Sequence, residues 1–372
     1  MDLILVPIRI GSVLTQNRIF QVEPDVNQDD IDSVTDYLKS GGWLTEHKVT
    51  AELEEKIKDY IGRKHSIAVP NGTIAIYLSL LAAGISKGKK VAVPNITMIA
   101  TINAVLWANA TPVLVDVDED LCMSYEKLTQ NQDLDAVIFV PLNGRTGEGE
   151  KIASWCKENQ ITLIEDSAHA LGSNYKETKC GSLGDISILS FTPHKIITMG
   201  QGGMVLTDNE EFKENLVNLK TFNRSKDKMD WHDGFGLNFK ITDIQASLGL
   251  SQFERLNDFV NNKKRNFMKY QSLIEDTKLE FINFKEYETP WFFDIVCVSK
   301  EYKDRIKTHL NSHNIETRDS YPALSFQKYL KEYTGSELNY SESISERILW
   351  LPSSNNLTKE QIEKISEAIS TM

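Results

Sequence analysis

From about residue 50 onward, the spacing of hydrophobic positions along this chain switches repeatedly between two periods. Leu53, Ile57 and Ile61 recur at intervals of four, with charged positions between them and a glycine after them, so "TAELEEKIKDYIG" predicts an amphipathic helix. Downstream come "SIAVP", "TIAIYLSLLAAG", "KKVAVP", "TINAVLWANA", "TPVLVDVD", "LDAVIFVPL", "EKIASWCKENQ" and "ITLIEDSAHALG", in which short apolar runs alternate with helix-like segments. Such alternation predicts an α/β fold with a mainly parallel sheet covered by helices. "DISILSF" and "GGMVLTD" follow one another without a helix between them, so that part of the sheet is expected to be antiparallel or hairpin-like. Asp243 to Ile274 reads as one long helix or two joined ones. Beyond it "LEFINF", "WFFDIVCVS", "YKDRIKTHLNSHNI" and "TKEQIEKISEAIS" predict a smaller α+β domain. The expected division is residues 1–255 for the large domain, with an N-terminal segment able to join the small one, and 256–372 for the small domain.

Composition narrows the function classes. The 372 residues are 41% hydrophobic and 25% charged, as in an ordinary soluble globular protein. A formal charge of −12 argues against non-specific nucleic-acid binding, which rests on Lys and Arg, so any phosphate must be met locally. Cys122, Cys156, Cys180 and Cys297 are widely spaced without a CxxC pair, which suggests free thiols rather than a zinc site or a disulfide framework. "MDLILVPIRIGS" lacks the basic start and cleavage site of a leader, and no apolar run reaches the roughly 18 residues of a membrane span. A cytoplasmic protein is expected.

Three groups of residues carry chemistry. Asn71, Gly72 and Thr73 stand between a strand-like run and a helix, where free amide N–H groups and a hydroxyl can hold a phosphate; the same residues also suit a plain helix cap. Asp166 ends an apolar strand, the edge at which α/β sheets bind ligands. It could hold a protonated ring nitrogen or a sugar hydroxyl, cap a following helix, or bind metal. His169 lies three residues on and would share its face if a helix began there, but no third ligand stands at useful spacing and no metal is expected. In the third group, "SFTPHKIITMGQGGMVLTD", Ser190 and Lys195 precede a glycine cluster that leads into a strand-like run rather than a helix, which fails the dinucleotide fingerprint. Lys195 is either a solvated loop charge or, if partly desolvated, an amine of lowered pKa suited to act as nucleophile and Schiff-base former.

Together these motifs resemble the DegT/StrS type of sugar-nucleotide aminotransferases, pyridoxal-phosphate enzymes with the fold of aspartate aminotransferase. The likeness runs from "GGWLTEHKV" to "LPSSNNLTKEQ" and rests on Glu165-Asp166-Ser167-Ala168-His169, on Ser190-Phe191-Thr192-Pro193-His194-Lys195, and on Thr198-Met199-Gly200-Gln201-Gly202-Gly203-Met204. The resemblance implies that Lys195 forms a Schiff base with pyridoxal 5'-phosphate, that Asp166 pairs with the pyridinium nitrogen and that His169 contacts the phenolic oxygen. It further implies that Gly72, Thr73 and Ser190 hold the phosphate, helped by Asn238 from the neighbouring subunit of a homodimer, and that the large domain carries the cofactor. The implied reaction moves an amino group from glutamate, through pyridoxamine phosphate, to a nucleotide-linked keto sugar for deoxyaminosugar and polysaccharide synthesis.

"DWHDGFGLNFKITDIQA" and "IETRDSYPA" are similar to segments of perosamine synthases, which points to a 4-keto-6-deoxyhexose aminated at C4 and to Trp231, His232 and Arg318 near the substrate. A 3-keto sugar aminotransferase, a pyridoxamine-phosphate-dependent sugar dehydratase and a non-catalytic relative are the alternatives. Met98 stands where the family carries an aromatic residue that stacks on the cofactor, so Met98 is expected at the ring face or in the core. His47 replaces a family glycine, Lys240 a common arginine, and "PLNGRTGEGE" departs from the usual aromatic-glycine-x-proline turn. The spacing from Ser190 puts Lys195, rather than the neighbouring His194, at the lysine position.

Overall fold

A computed structural model of the chain describes residues 18–333 and 337–372; the opening "MDLILVPIRIGS", read above for a leader, lies outside them. Two helices, α1 (Gln28–Lys39) and α2 (Lys48–Ile61), precede β1 (His65–Val69). Then α3 (Gly72–Ala82), β2 (Lys90–Pro94), α4 (Ile99–Trp107), β3 (Thr111–Val115), α5 (Tyr125–Thr129), β4 (Ala136–Phe139), α6 (Gly149–Glu158) and β5 (Thr162–Asp166) follow the alternation read from the sequence. A two-residue hairpin, β6 (Asn174–Tyr175) and β7 (Thr178–Lys179), leads to β8 (Ile186–Ser190), β9 (Gly203–Thr207) and α7 (Glu210–Lys220).

Seven of these strands form one sheet in the order β1-β9-β8-β5-β4-β2-β3. The pairs from β3 to β8 are parallel, whereas β8 and β9 pair antiparallel, as the missing helix between them required. Because β1 pairs antiparallel with β9, it runs in the same direction as the parallel strands. Every residue of β4, β8 and β9 is buried, which is why these segments read as continuous apolar runs: helices cover both faces of the sheet. The consequence for function is that β1, β2, β4, β5 and β8 all end at one edge.

The segment from Asp243 consists of two helices, α8 (Asp243–Glu254) and α9 (Leu256–Leu273), joined at Arg255. The Arg255 backbone leaves helical geometry, at φ −97° and ψ 4°, while its guanidinium pairs with Asp25 and Asp30. The rest is β10 (Leu279–Phe281), β11 (Phe293–Cys297), α10 (Lys300–Ser312), β12 (Arg318–Asp319), α11 (Asn339–Ser345), β13 (Ile348–Leu351) and α12 (Lys359–Ser370). These strands make an antiparallel sheet in the order β10-β11-β13-β12. Alternation along β13 buries both faces: Ile348 and Trp350 join the core of the large sheet, and Leu349 and Leu351 a second core with Phe293 and Ile295. A buried ion pair, Arg145 Nη1 to Asp294 Oδ2 at 2.6 Å with both side chains no more than 1% exposed, ties the turn after β4 to β11. That turn is the "PLNGRTGEGE" segment.

Candidate active site

The carboxyl edge of the large sheet gathers the chemistry. β5 ends on Asp166, β8 ends on Ser190, and α3 begins with Gly72 just after β1. Asn71 does cap α3, its side-chain oxygen accepting from the Ile74 amide at 3.0 Å. That leaves the Gly72 and Thr73 amides at the head of the helix, outside its ladder, where anions are favoured. Gly72 lies against Ser190 so closely that a Cβ on it would sit 3.1 Å from the Ser190 Cβ. Gly203 is tighter still: a Cβ there would come within 2.7 Å of the Asn71 backbone, so the first residue of β9 has to be glycine for α3 to start where it does.

No helix follows Asp166; residues 167–173 form turns, and the expected helix cap is not made. The Asp166 carboxylate instead accepts from the Thr101 hydroxyl at 2.9 Å and the Ala168 amide at 3.3 Å. Beside it, the buried Glu165 carboxylate accepts from the Gly181 and Leu183 amides and from the Ser167, Tyr175 and Ser187 hydroxyls, which pins the β6–β7 excursion under the site. Lys195 lies in the loop between β8 and β9, with its Nζ 3.9 Å from the centre of the Trp291 ring. His169 stacks on the same indole at 4.0 Å and 21°, and its Nε2 is 3.5 Å from the Tyr321 hydroxyl.

Burial dominates the electrostatics. It pulls the Lys195 amine down to about 7; the Asp166 carboxylate opposes this and the Arg318 charge adds to it. Burial likewise raises Asp166 above the usual carboxylate value, against the Thr101 and Ala168 hydrogen bonds and the Lys195 charge. His169 is pushed well below the ordinary imidazole value by burial, then by the Lys195 and Arg318 charges, so its ring is neutral near pH 7. His194 shifts down for the same reasons, with Arg318 acting more strongly than Lys195. An amine poised near neutrality beside a buried carboxylate and a neutral imidazole can add to a carbonyl and carry protons.

Not every residue picked from the sequence joins this group. Trp231, His232 and Asn238 lie in an exposed segment between α7 and α8; His232 contacts the Phe222 carbonyl at 2.8 Å, and Asn238 bridges Thr221 through its backbone. Met98 is 41% exposed and caps α4, its sulfur accepting from the Ala100 amide at 3.0 Å, so it is not a core methionine. Arg318 opens β12, exposed but near enough for its charge to bear on Lys195, His169 and His194. Three residues of the site were not singled out in the sequence: Thr101, Trp291 and Tyr321. Thr101 falls one turn into a helix whose apolar positions drew attention instead, and Trp291 and Tyr321 come from the small-domain half of the chain, more than 90 positions beyond Lys195.

The chain belongs to the DegT/DnrJ/EryC1/StrS aminotransferase family, whose pattern matches residues 24–370. It is therefore a pyridoxal-phosphate-dependent aminotransferase. It is 32% identical over 352 residues to the GDP-perosamine synthase of Escherichia coli O157:H7, covering 93% of this chain and 96% of that protein. It is also 32% identical over 315 residues to the UDP-4-amino-4,6-dideoxy-N-acetyl-beta-L-altrosamine transaminase of Campylobacter jejuni, covering 82% of this chain and 76% of that one. In fold it is similar to Helicobacter pylori PseC, an aminotransferase involved in the biosynthesis of pseudoaminic acid, with a TM-score of 0.89, 24% identity, and coverage of 95% of this chain and 98% of that chain.

The side chains fit the cofactor. A buried carboxylate stands ready for a protonated ring nitrogen at Asp166. The His169 Nδ1 is buried with no hydrogen-bond partner among the described residues, which leaves it free for an oxygen of the ring. A helix start with a hydroxyl beside it, at Gly72 and Ser190, suits a phosphate. The Lys195 amine lies in the same pocket edge.

Proposed function

We propose that this enzyme transfers an amino group from glutamate to C4 of a nucleotide-linked 4-keto-6-deoxyhexose. The observation that carries the reading is the meeting of Lys195, Asp166 and His169 at the carboxyl edge of the sheet, with Lys195 lowered to about 7. The bound cofactor supplies an electron sink that stabilises negative charge on the carbon losing its proton. Asp166 holds the ring nitrogen protonated, His169 contacts the phenolic oxygen through Nδ1, and the Gly72 and Thr73 amides with the Ser190 hydroxyl hold the phosphate. Lys195 Nζ removes the proton from the donor Cα and returns it at the cofactor's C4′, then runs the transfer in reverse on the keto sugar. Met98, at the head of α4, takes the ring-face position.

Arg318 has no carboxylate within salt-bridge distance among the described residues, which suits it to an anionic group of glutamate or of the nucleotide. The likeness of "DWHDGFGLNFKITDIQA" and "IETRDSYPA" to perosamine synthases, together with the two 4-amino-sugar relatives, supports a C4 ketone. Exposed Trp43, Met229, Trp231 and Phe235 support a homodimer in which Asn238, Trp231 and His232 enter the neighbouring site. Four buried free thiols and the absence, among the described residues, of a helix long and apolar enough to cross a membrane support a cytoplasmic enzyme. We place the division between the cofactor-binding and small domains near residue 255.

The test is the visible spectrum of the protein loaded with pyridoxal phosphate, before and after glutamate, followed by a panel of GDP-, UDP- and dTDP-linked 3-keto and 4-keto sugars. Bleaching by glutamate and recovery with a 4-keto sugar is the expected result. Recovery only with 3-keto sugars would overturn the C4 assignment, and bleaching absent in the wild type would overturn the glutamate half.

A further inference from the structure

Lys263 is a lysine in the protein interior that the reaction above does not use. It sits on α9, 1% exposed, with no carboxylate within 4.0 Å among the described residues, and burial pulls its amine down to about 7. Its Nζ donates to two backbone carbonyls, Trp291 O at 2.8 Å and Ser353 O. An amine so placed is expensive to bury, and a methionine would fill the same volume without that cost.

The two carbonyls belong to segments that converge on one place. Trp291 donates its indole N–H to the His194 carbonyl at 2.7 Å. Asn355, two residues after Ser353, donates its side-chain amide to the Ile196 carbonyl at 2.8 Å. The carbonyls immediately before and after Lys195 are thus each held by a different segment, and Lys263 joins the two. Trp291 also forms the wall against which the Lys195 Nζ and the His169 ring rest.

We propose that Lys263 is a positioning residue for Lys195: it locks the Trp291 and Ser353–Asn355 segments together, and through them sets where the reactive amine stands. The proposal rests on the reading of Lys195 as the reactive amine. Either protonation state of Lys263 can serve, since even a neutral amine keeps two N–H donors.

The test is the pH dependence of Lys195 acylation in the cofactor-free protein, by competitive labelling with acetic anhydride and peptide mass spectrometry. The groups that face Lys195 and are left intact are Asp166 on β5, Arg318 on β12, and His169 and His194 on the flanking turns. In the wild type the midpoint is expected near 7. In Lys263→Met the loosened loop admits water to the amine, so the midpoint should rise by about one unit and labelling at pH 7 should fall about tenfold. Trp291→Phe, which breaks the arm to His194, and Asn355→Ala, which breaks the arm to Ile196, should each shift it in the same direction by less. Combining either with Lys263→Met should add little, because all three act in one unit. A lower melting temperature with an unmoved Lys195 midpoint in Lys263→Met would overturn the proposal. If that variant does not fold, unmoved midpoints in both single-arm variants would overturn it. A wild-type Lys195 that labels like a surface lysine would instead overturn the reading of Lys195 itself.

Discussion

Thr101→Val tests whether Asp166 acts as a charged partner for the cofactor ring. The Thr101 side chain is fully buried and its hydroxyl donates to Asp166 Oδ2 at 2.9 Å. Since its proton is committed to Asp166, the Thr97 hydroxyl 3.2 Å away is the donor to Thr101, and the three residues form a relay ending on the carboxylate. Valine keeps the volume and removes both bonds. A hydrogen bond to a charged group is worth about 1.5–3 kcal/mol, and one pKa unit is about 1.36 kcal/mol, so the ionised form of Asp166 loses about one to two units of support. The Lys195 charge and the Ala168 amide remain as its stabilisers. If that charge pairs with a protonated ring nitrogen, pyridoxal phosphate should bind the variant about tenfold to a hundredfold more weakly, the upper figure being a ceiling because part of the loss also falls on the free protein. Equilibrium titration of cofactor-free protein, followed by absorbance, reads this directly. Thr97→Val, one step further back, should cost only a few-fold. A change below about threefold in Thr101→Val, with the fold intact by circular dichroism, would refute the charged-partner role.

Gly72→Ala places a methyl 3.1 Å from the Ser190 Cβ and 3.3 Å from its hydroxyl, so it should weaken both cofactor retention and competition by inorganic phosphate; unchanged phosphate competition would put the phosphate elsewhere. Asp294→Leu leaves the Arg145 guanidinium buried without its counter-charge and should cost about 3–5 kcal/mol in urea unfolding, partly recovered by adding Arg145→Met. Stability against pH carries a sign set by Lys195. Its folded value, about 7, lies below the value of an unfolded lysine, so between the two the unfolded chain binds the proton and the folded chain does not. Stability of the cofactor-free protein should therefore gain a rising component from about pH 7 towards about 10.4, and Lys195→Met should flatten it in urea melts. Asp166, raised in the folded state, contributes the opposite slope at lower pH, a loss as pH rises from about 3.9.

Much of the large domain was legible because each strand and helix announces itself by a local period. The helix ending at Gly62, the hairpin of β8 and β9 and the glycine-led start of α3 all sit where the pattern placed them. Lys195, Asp166, His169 and Ser190 could be picked out because their motifs are contiguous in the chain. Asp166 was misjudged in one respect: the residues after it form turns, because the Glu165 carboxylate draws in the amides of Gly181 and Leu183, partners 16 and 18 positions away.

The amino-acid sequence by itself determined the class of fold and the residues able to do the chemistry, since hydrophobic period and short motifs are local properties. It also determined the family, through motifs spread over most of the chain. The tertiary structure alone decided what state those residues are in. Trp291 and Tyr321 reach His169 from the second half of the chain, Arg318 brings its charge from β12, and Lys263 joins two segments 62 positions apart, Trp291 and Ser353. A lysine becomes an amine poised near neutrality only when such distant groups exclude water from it, and burial is a property of the packed chain that no local pattern encodes.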